Sequence, residues 1–140
     1  MVSRGRNLRY RTAMFSTLLV FVGAGIGGVA RHGVNLAAAR CLGPGFPYGT
    51  LAVNVAGSVL MGLLAGWLAL RAGEGWSQSA RLFLATGVLG GFTTFSAFSL
   101  DAVLLWERGE TGAFILYLAA SVGLSVLGLV AGLTLVRSVS

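Results

Sequence analysis

The sequence predicts an all-α integral membrane protein of four transmembrane helices, the third broken near Gly90–Thr94. Three observations carry that reading. Only 10% of the 140 residues are charged, 56% are hydrophobic, and the mean hydropathy is +0.85, whereas a soluble domain carries about 25% charged residues. The apolar residues fall into four long runs, each near the roughly 20 residues that a helix needs to cross a bilayer. The 22 glycines would each cost a soluble helix about 1 kcal/mol, but in a bilayer small residues let helices approach closely. The short alternating segments expected of a β-barrel are not visible. The chain therefore reads as one four-span membrane domain over 1–140, with a basic extension over 1–12.

The first span runs from about Ala13 to Ala39. Arg4, Arg6, Arg9 and Arg11 precede it, a basic flank of the kind found on the cytoplasmic side of a first span. The start resembles a secretory signal, but the apolar run is too long and reaches Arg31 without a small-residue cleavage site. GPGFP, Gly43 to Pro47, is a turn by its glycine and proline content. The second span runs from about Tyr48 to Leu70. A polar connection follows, in which Trp76 is a candidate interfacial anchor. The third span runs from about Arg81 to Leu105, and WERGETG, Trp106 to Gly112, forms the next loop. The fourth span runs from about Ala113 to Val136.

With four spans both termini lie on one side. That side holds the four leading arginines plus Arg71, Arg81 and Arg137, and the other holds Arg40 and Arg108. The bias places the N-terminus inside. Without the leading four, the tally is three against two. A single cysteine, Cys41, excludes an intramolecular disulfide and any cysteine cluster for metal.

Polar residues at membrane depth are costly and are candidates for function. Gly23, Gly27 and Arg31 recur every four residues and share one helix face. The glycines read as a packing seam. For Arg31 two readings stand: a side chain that snorkels to the headgroups, or a positive charge that attracts an anion. His32 has no partner and reads as interfacial. Asn54 either makes an interhelical hydrogen bond or donates its amide to an anion.

GVLGGFTTFSAF, Gly87 to Phe98, is the densest stretch. Its glycines and threonines suit a helix that opens, and open backbone in a bilayer is tolerated only against protein or water. Gly90, Gly91, Thr93 and Thr94 could form a hinge alone, or could leave carbonyls free for a small hard cation such as Na⁺. Phe95 and Phe98, three apart, lie on one face. They either pack or turn the positive edges of their rings toward an anion. In the fourth span Tyr117, Ser121 and Ser125 form a hydroxyl stripe, either back-bonded to the helix or lining an anion track. The acids Glu74, Asp101, Glu107 and Glu110 lie in loops or near span ends, and no nucleophile–base pair or phosphate-cradling loop is present. The sequence does not read as an enzyme.

These motifs resemble the Fluc (CrcB) fluoride channels from about Thr17 to Val136. The likeness rests on GxxxGxxxR at Gly23–Arg31, GTLxVNxxGS at Gly49–Ser58 and GxxGGFTTFSAF at Gly87–Phe98. The last two, in this order in a four-span chain, are specific. The resemblance implies a passive fluoride channel of a prokaryotic plasma or inner membrane. It implies an antiparallel, dual-topology homodimer with two pores between its subunits. Phe95, Phe98 and Asn54 would line the pore, with Tyr117, Ser121 and Ser125 as its hydroxyl track. Gly90 and Thr93 would offer backbone carbonyls to a central structural Na⁺. Arg31 matches a first-span arginine of the family.

Two features depart from the pattern. Ala97 stands where the family usually carries threonine, and the arginine-rich extension biases insertion toward one orientation. Fluoride is small and strongly hydrated, so a pore must replace its water with good donors yet hold it weakly enough to release. Asn54, the hydroxyls and the ring edges suit both demands. A proton-coupled multidrug exporter is the competing transporter class, but it needs a membrane-embedded carboxylate, and the first span has none. A membrane scaffold without transport leaves Asn54 and the serine stripe without a purpose.

Overall fold

The computed structural model describes residues 2–71, 74–75 and 77–139, with side chains from Thr12 onward. Four helical stretches are long and apolar enough to span a bilayer: Thr12–Leu42, Tyr48–Leu70, Ser77–Glu107 and Thr111–Ser138. The side chains of Arg4, Arg6, Arg9 and Arg11, together with Trp76, lie outside the described residues.

Helix α1, Val2–Leu42, begins well before Ala13, so the helix runs back through the basic extension. It ends at Gly43, whose φ of +79° suits a residue without a Cβ. The Gly43 N–H bonds the Ala39 carbonyl at 3.1 Å. Pro44 and Pro47 stop the helix from continuing. Helix α2, Tyr48–Leu70, starts directly after Pro47.

The third span is not one regular helix. It comprises α3 (Ser77–Ala80), a π-helical segment (Arg81–Leu89), α4 (Gly90–Phe92) and α5 (Phe95–Glu107). Between α4 and α5 the backbone is extended at Thr93 (ψ 161°) and Thr94 (φ −156°, ψ 119°). The break thus falls within the expected window. The π-helical segment, a form found mostly as short bulges at functional positions, was not foreseen.

Helix α5 ends in a paired glycine cap. Gly109, at φ +74°, donates to Trp106, and Glu110 donates to Leu105. Helix α6, Thr111–Ser138, forms the fourth span. The loops 43–47 and 108–110 lie on the same side, where the Arg108 guanidinium donates to the Gly45 carbonyl at 3.0 Å. Arg108 also pairs with Glu110 at 3.1 Å.

Glycines bring these helices together at backbone distance. A Cβ on Gly23 would lie 2.6 Å from the Phe83 carbonyl oxygen, and one on Gly27 would lie 2.7 Å from the Phe92 nitrogen. The GxxxG face of α1 is therefore a packing seam against the third span, as its spacing suggests. A second seam joins α2 to α6, where a Cβ on Gly132 would meet the Val59 carbonyl at 2.5 Å. Phe98, Ala102, Leu105 and Tyr117 form a buried cluster that ties α5 to α6. Large apolar side chains elsewhere, such as Phe21 and Val29 on α1 and Leu127 on α6, face outward. That pattern suits a hydrocarbon surround, which is as apolar as the side chains themselves.

Candidate functional site

The break in the third span is held by one side chain of the second. Asn54 Nδ2 donates to the Thr94 carbonyl at 3.0 Å, and Asn54 Oδ1 accepts from the Thr94 N–H at 2.8 Å. The amide thereby replaces the helical partners that Thr94 lost when the chain turned extended. An amide carries two N–H groups, and its second one has no protein partner among the described residues. The interhelical hydrogen bond considered for Asn54 is present, and one donor remains for another ligand.

Thr94 restarts the helix. Its Oγ1 accepts from the Ala97 N–H at 3.2 Å and lies 3.3 Å from the Ser96 hydroxyl. An N-cap of this kind is worth about 1 kcal/mol. Ala97 enters this cap through its backbone. Gly57 leaves room for the Thr93 methyl, which any Cβ there would strike.

A cavity of about 310 Å³ opens beside the break. Asn54, Thr94, Phe95, Phe98, Ser121 and Ser125 line it. Phe95 and Phe98 stand 5.5 Å apart, centroid to centroid, tilted by 49°. Phe95 is 77% exposed and Phe98 only 7%. The pair thus runs from the protein surface inward. The Oγ atoms of Ser121 and Ser125 are buried without a hydrogen-bond partner. Neither bonds back to its own helix, whereas Thr134 on the same helix does, to the Val130 carbonyl at 2.9 Å. An unpaired buried hydroxyl costs stability, and here two of them face one cavity.

Tyr117 does not line that cavity. It is fully buried behind Phe98, with ring centroids 5.3 Å apart. Its hydroxyl donates to Asp101 Oδ2 at 3.2 Å. Thr50 and Ser121 are also within its electrostatic reach, but hydrogen-bond geometry is met only toward Asp101. A second cavity, also about 310 Å³, includes Asp101, Thr50, Asn35 and Arg108 in its walls. Phe98 lines the first cavity and Tyr117, packed behind it, bonds Asp101 in the wall of the second. Asn35 Oδ1 is buried there without a partner. Sequence reasoning passed over Asn35 and the Tyr117–Asp101 pair. The available signal for Asn35 was an amide inside an apolar span.

Arg31 does not line the Phe95–Ser125 cavity either. Its guanidinium donates to the Thr93 carbonyl at 3.4 Å. The structure thus brings Asn54, Phe95, Phe98, Ser121 and Ser125 around one space, sets Tyr117 behind it and turns Arg31 to the backbone of the break.

Among the described residues no cluster of three His, Cys, Asp or Glu side chains could hold a metal. A cation at the break would rest on carbonyl oxygens. The helical donor for the Gly90 carbonyl, the Thr94 N–H, is committed to Asn54. The donor for Thr93, the Ala97 N–H, is committed to the Thr94 hydroxyl. Gly90 is also exposed. Hard oxygens of this kind suit a small hard cation, so the donor set fits Na⁺.

Comparison with known proteins agrees with this architecture. Residues 18–133 match the family described as CrcB-like protein, Camphor Resistance (CrcB). The chain is similar to the fluoride-specific ion channel FluC of Methylobacterium nodulans, 59% identical over 124 residues that cover 89% of this chain and 98% of that protein. It is 60% identical over 120 residues to the fluoride-specific ion channel FluC 2 of Nitrobacter hamburgensis, covering 86% and 95%. The corresponding protein of Hyphomonas neptunium is 59% identical over 122 residues, covering 87% and 95%. With four membrane-length helices, a bent third span and this similarity along most of its length, the chain is a multi-pass membrane protein that belongs to the CrcB-like family.

Proposed function

We propose that this chain forms a fluoride-selective passive channel that lowers fluoride in the cytoplasm of a prokaryotic cell from its plasma or inner membrane. The observation that carries the reading is the cavity beside the break. It combines a spare amide N–H on Asn54, two unpaired buried hydroxyls on Ser121 and Ser125, and the rings of Phe95 and Phe98, whose positive edges can meet an anion. These are donors for an anion that has shed its water, and none is a fixed positive charge that would trap it. Tyr117 closes the inner end of the track. Arg31, whose guanidinium reaches the Thr93 carbonyl one residue before the backbone that Asn54 grips, adds positive potential for an approaching anion. The names of the relatives support fluoride as the ion.

The channel is an antiparallel homodimer with two pores. Support comes from Phe95, a pore residue whose ring stands mostly exposed on a single chain. A second copy would enclose it, and a closed two-fold pair is the commonest assembly. The carbonyls of Gly90 and Thr93, whose helical donors are committed to side chains, would hold a structural Na⁺. When bound, such an ion would supply a fixed positive charge to those carbonyl oxygens.

Purified protein in fluoride-loaded liposomes tests the reading. Fluoride leaves passively once its charge is compensated, and chloride stays behind. No fluoride flux at any protein density would overturn the proposal.

A further inference from the structure

The face formed by Gly23, Gly27 and Arg31 has a use that the packing seam alone does not explain. Gly27 carries no Cβ, and one there would strike the Val88 carbonyl and approach the Phe92 nitrogen at 2.7 Å. The glycine therefore draws α1 against the last turn before the break. Arg31 follows one turn later on the same face, so its guanidinium arrives at Thr93. The GxxxGxxxR spacing places a positive charge on the break.

The carbonyls of residues 90 to 93 have no regular helical donor. The N–H groups four residues on belong to residues 94 to 97. Those of Thr94 and Ala97 bond the side chains of Asn54 and Thr94. Those of Phe95 and Ser96 lie in the first turn of α5, where N–H groups have no helical acceptor. A free carbonyl at membrane depth is costly. The Arg31 guanidinium donates to the Thr93 carbonyl at 3.4 Å. That is longer than a strong N–H···O bond of about 2.9 Å. The contact is chiefly one of charge, and a tighter ligand could displace it.

We propose that Arg31 is a competing cation built into the break: it holds the Thr93 carbonyl in each protomer and sets how much sodium the assembled channel needs. The inference rests on the sodium and dimer reading above. Two positive charges that share one carbonyl oxygen repel, and the repulsion is stronger away from water. Arg31 thus keeps the break shaped without sodium and raises the concentration at which sodium takes over.

The test is assembly of the purified full-length protein in detergent, read as dimer fraction and thermal midpoint. Sodium chloride is titrated against N-methylglucamine chloride at constant ionic strength. Arg31→Gln removes the charge and keeps a donor, and the half-maximal sodium concentration falls about tenfold, the effect of about 1.4 kcal/mol. Arg31→Lys keeps the charge, and its midpoint stays within about threefold of the wild type. A wild type whose assembly ignores sodium overturns the sodium reading and this inference together. A sodium-dependent wild type with an unmoved or raised midpoint in Arg31→Gln overturns the role of Arg31 alone. So does Arg31→Lys behaving like Arg31→Gln, because charge would then not be the cause. Failure of Arg31→Gln to assemble at any sodium concentration would show a needed donor instead of a competitor, and would also overturn it.

Discussion

Helices α2 and α6 meet in two different ways along their length. At one end Gly62 and Gly132 bring backbone against backbone, and Gly66 and Gly128 receive the side chains of Val136 and Val59. Toward the break the same two helices carry Asn54, Ser121 and Ser125 and part around a cavity. The closed end gains dispersion contacts and leaves nothing polar to satisfy. The open end retains unpaired hydroxyls, which lower stability. One helix pair therefore has a half built for packing and a half whose cost only a ligand would offset.

The largest expected effect lies at the closed end. Gly132→Leu would drive a Cβ against the Val59 carbonyl at 2.5 Å and the Leu63 nitrogen at 2.9 Å. Both are backbone atoms that cannot swing aside. Overpacking of this kind costs about 1–3 kcal/mol or more, and the variant should yield little folded protein by size exclusion. Gly123→Ala on the same helix, with nothing within 4 Å, should behave as wild type. Equal tolerance of both substitutions would show that the seam does not hold the bundle.

The next effect lies at the open end. Asn54→Asp keeps an acceptor for the Thr94 N–H but loses the donor to the Thr94 carbonyl, and it sets a negative charge beside the cavity. Fluoride flux should fall about a hundredfold, equivalent to about 2.7 kcal/mol, while the protein stays folded and assembled. Full flux in an assembled Asn54→Asp protein would leave Asn54 as a structural clamp only.

The contrast between the two ends was unevenly legible in the sequence. Composition and four apolar runs were enough for the spans, because hydrophobic length is nearly the whole requirement for crossing a bilayer. The break was legible because GGFTT joins weak helix formers to residues that can cap a new start. Its mechanics were not. That Asn54 grips both polar atoms of Thr94, and that Arg31 reaches the Thr93 carbonyl, depends on how distant segments register. Periodicity along one helix carries no such information. The serine stripe showed its spacing, but whether its hydroxyls bond their own helix was open. Tyr117 looked equivalent to Ser121 and Ser125, yet a bulky ring turned inward gave its hydroxyl to Asp101. Asn35 is likewise an amide inside an apolar span, but no motif around it marks it out.

A smaller effect separates the two phenylalanines. Phe95 is mostly exposed on one chain, whereas Phe98 packs on Tyr117. Phe95→Ile removes an aromatic ring from the cavity wall without opening a core. Flux should fall about tenfold, or about 1.4 kcal/mol, with the thermal midpoint of the protomer unchanged. Phe98→Ile should lower both, since the buried cluster of α5 and α6 loses its centre. If Phe95→Ile lowered stability and left flux intact, the ring would be a packing element.

The smallest effect is the most discriminating, because its two readouts should move in opposite directions. Ser125 Oγ is buried and unpaired at the wall of the cavity. Were it a packing residue, deleting the hydroxyl would relieve a desolvated group, raise stability by about 1 kcal/mol and leave transport alone. If it replaces water around a passing anion, Ser125→Ala should still raise the thermal midpoint slightly but slow fluoride flux several-fold. Thr134→Val supplies the comparison on the same helix. Its hydroxyl already bonds the Val130 carbonyl, so its loss should change neither flux nor assembly appreciably. Slowed flux in Ser125→Ala with unchanged flux in Thr134→Val would separate hydroxyls that serve the ion from hydroxyls that serve the helix. Equal behaviour of the two variants would remove the distinction between the open and closed halves of α6.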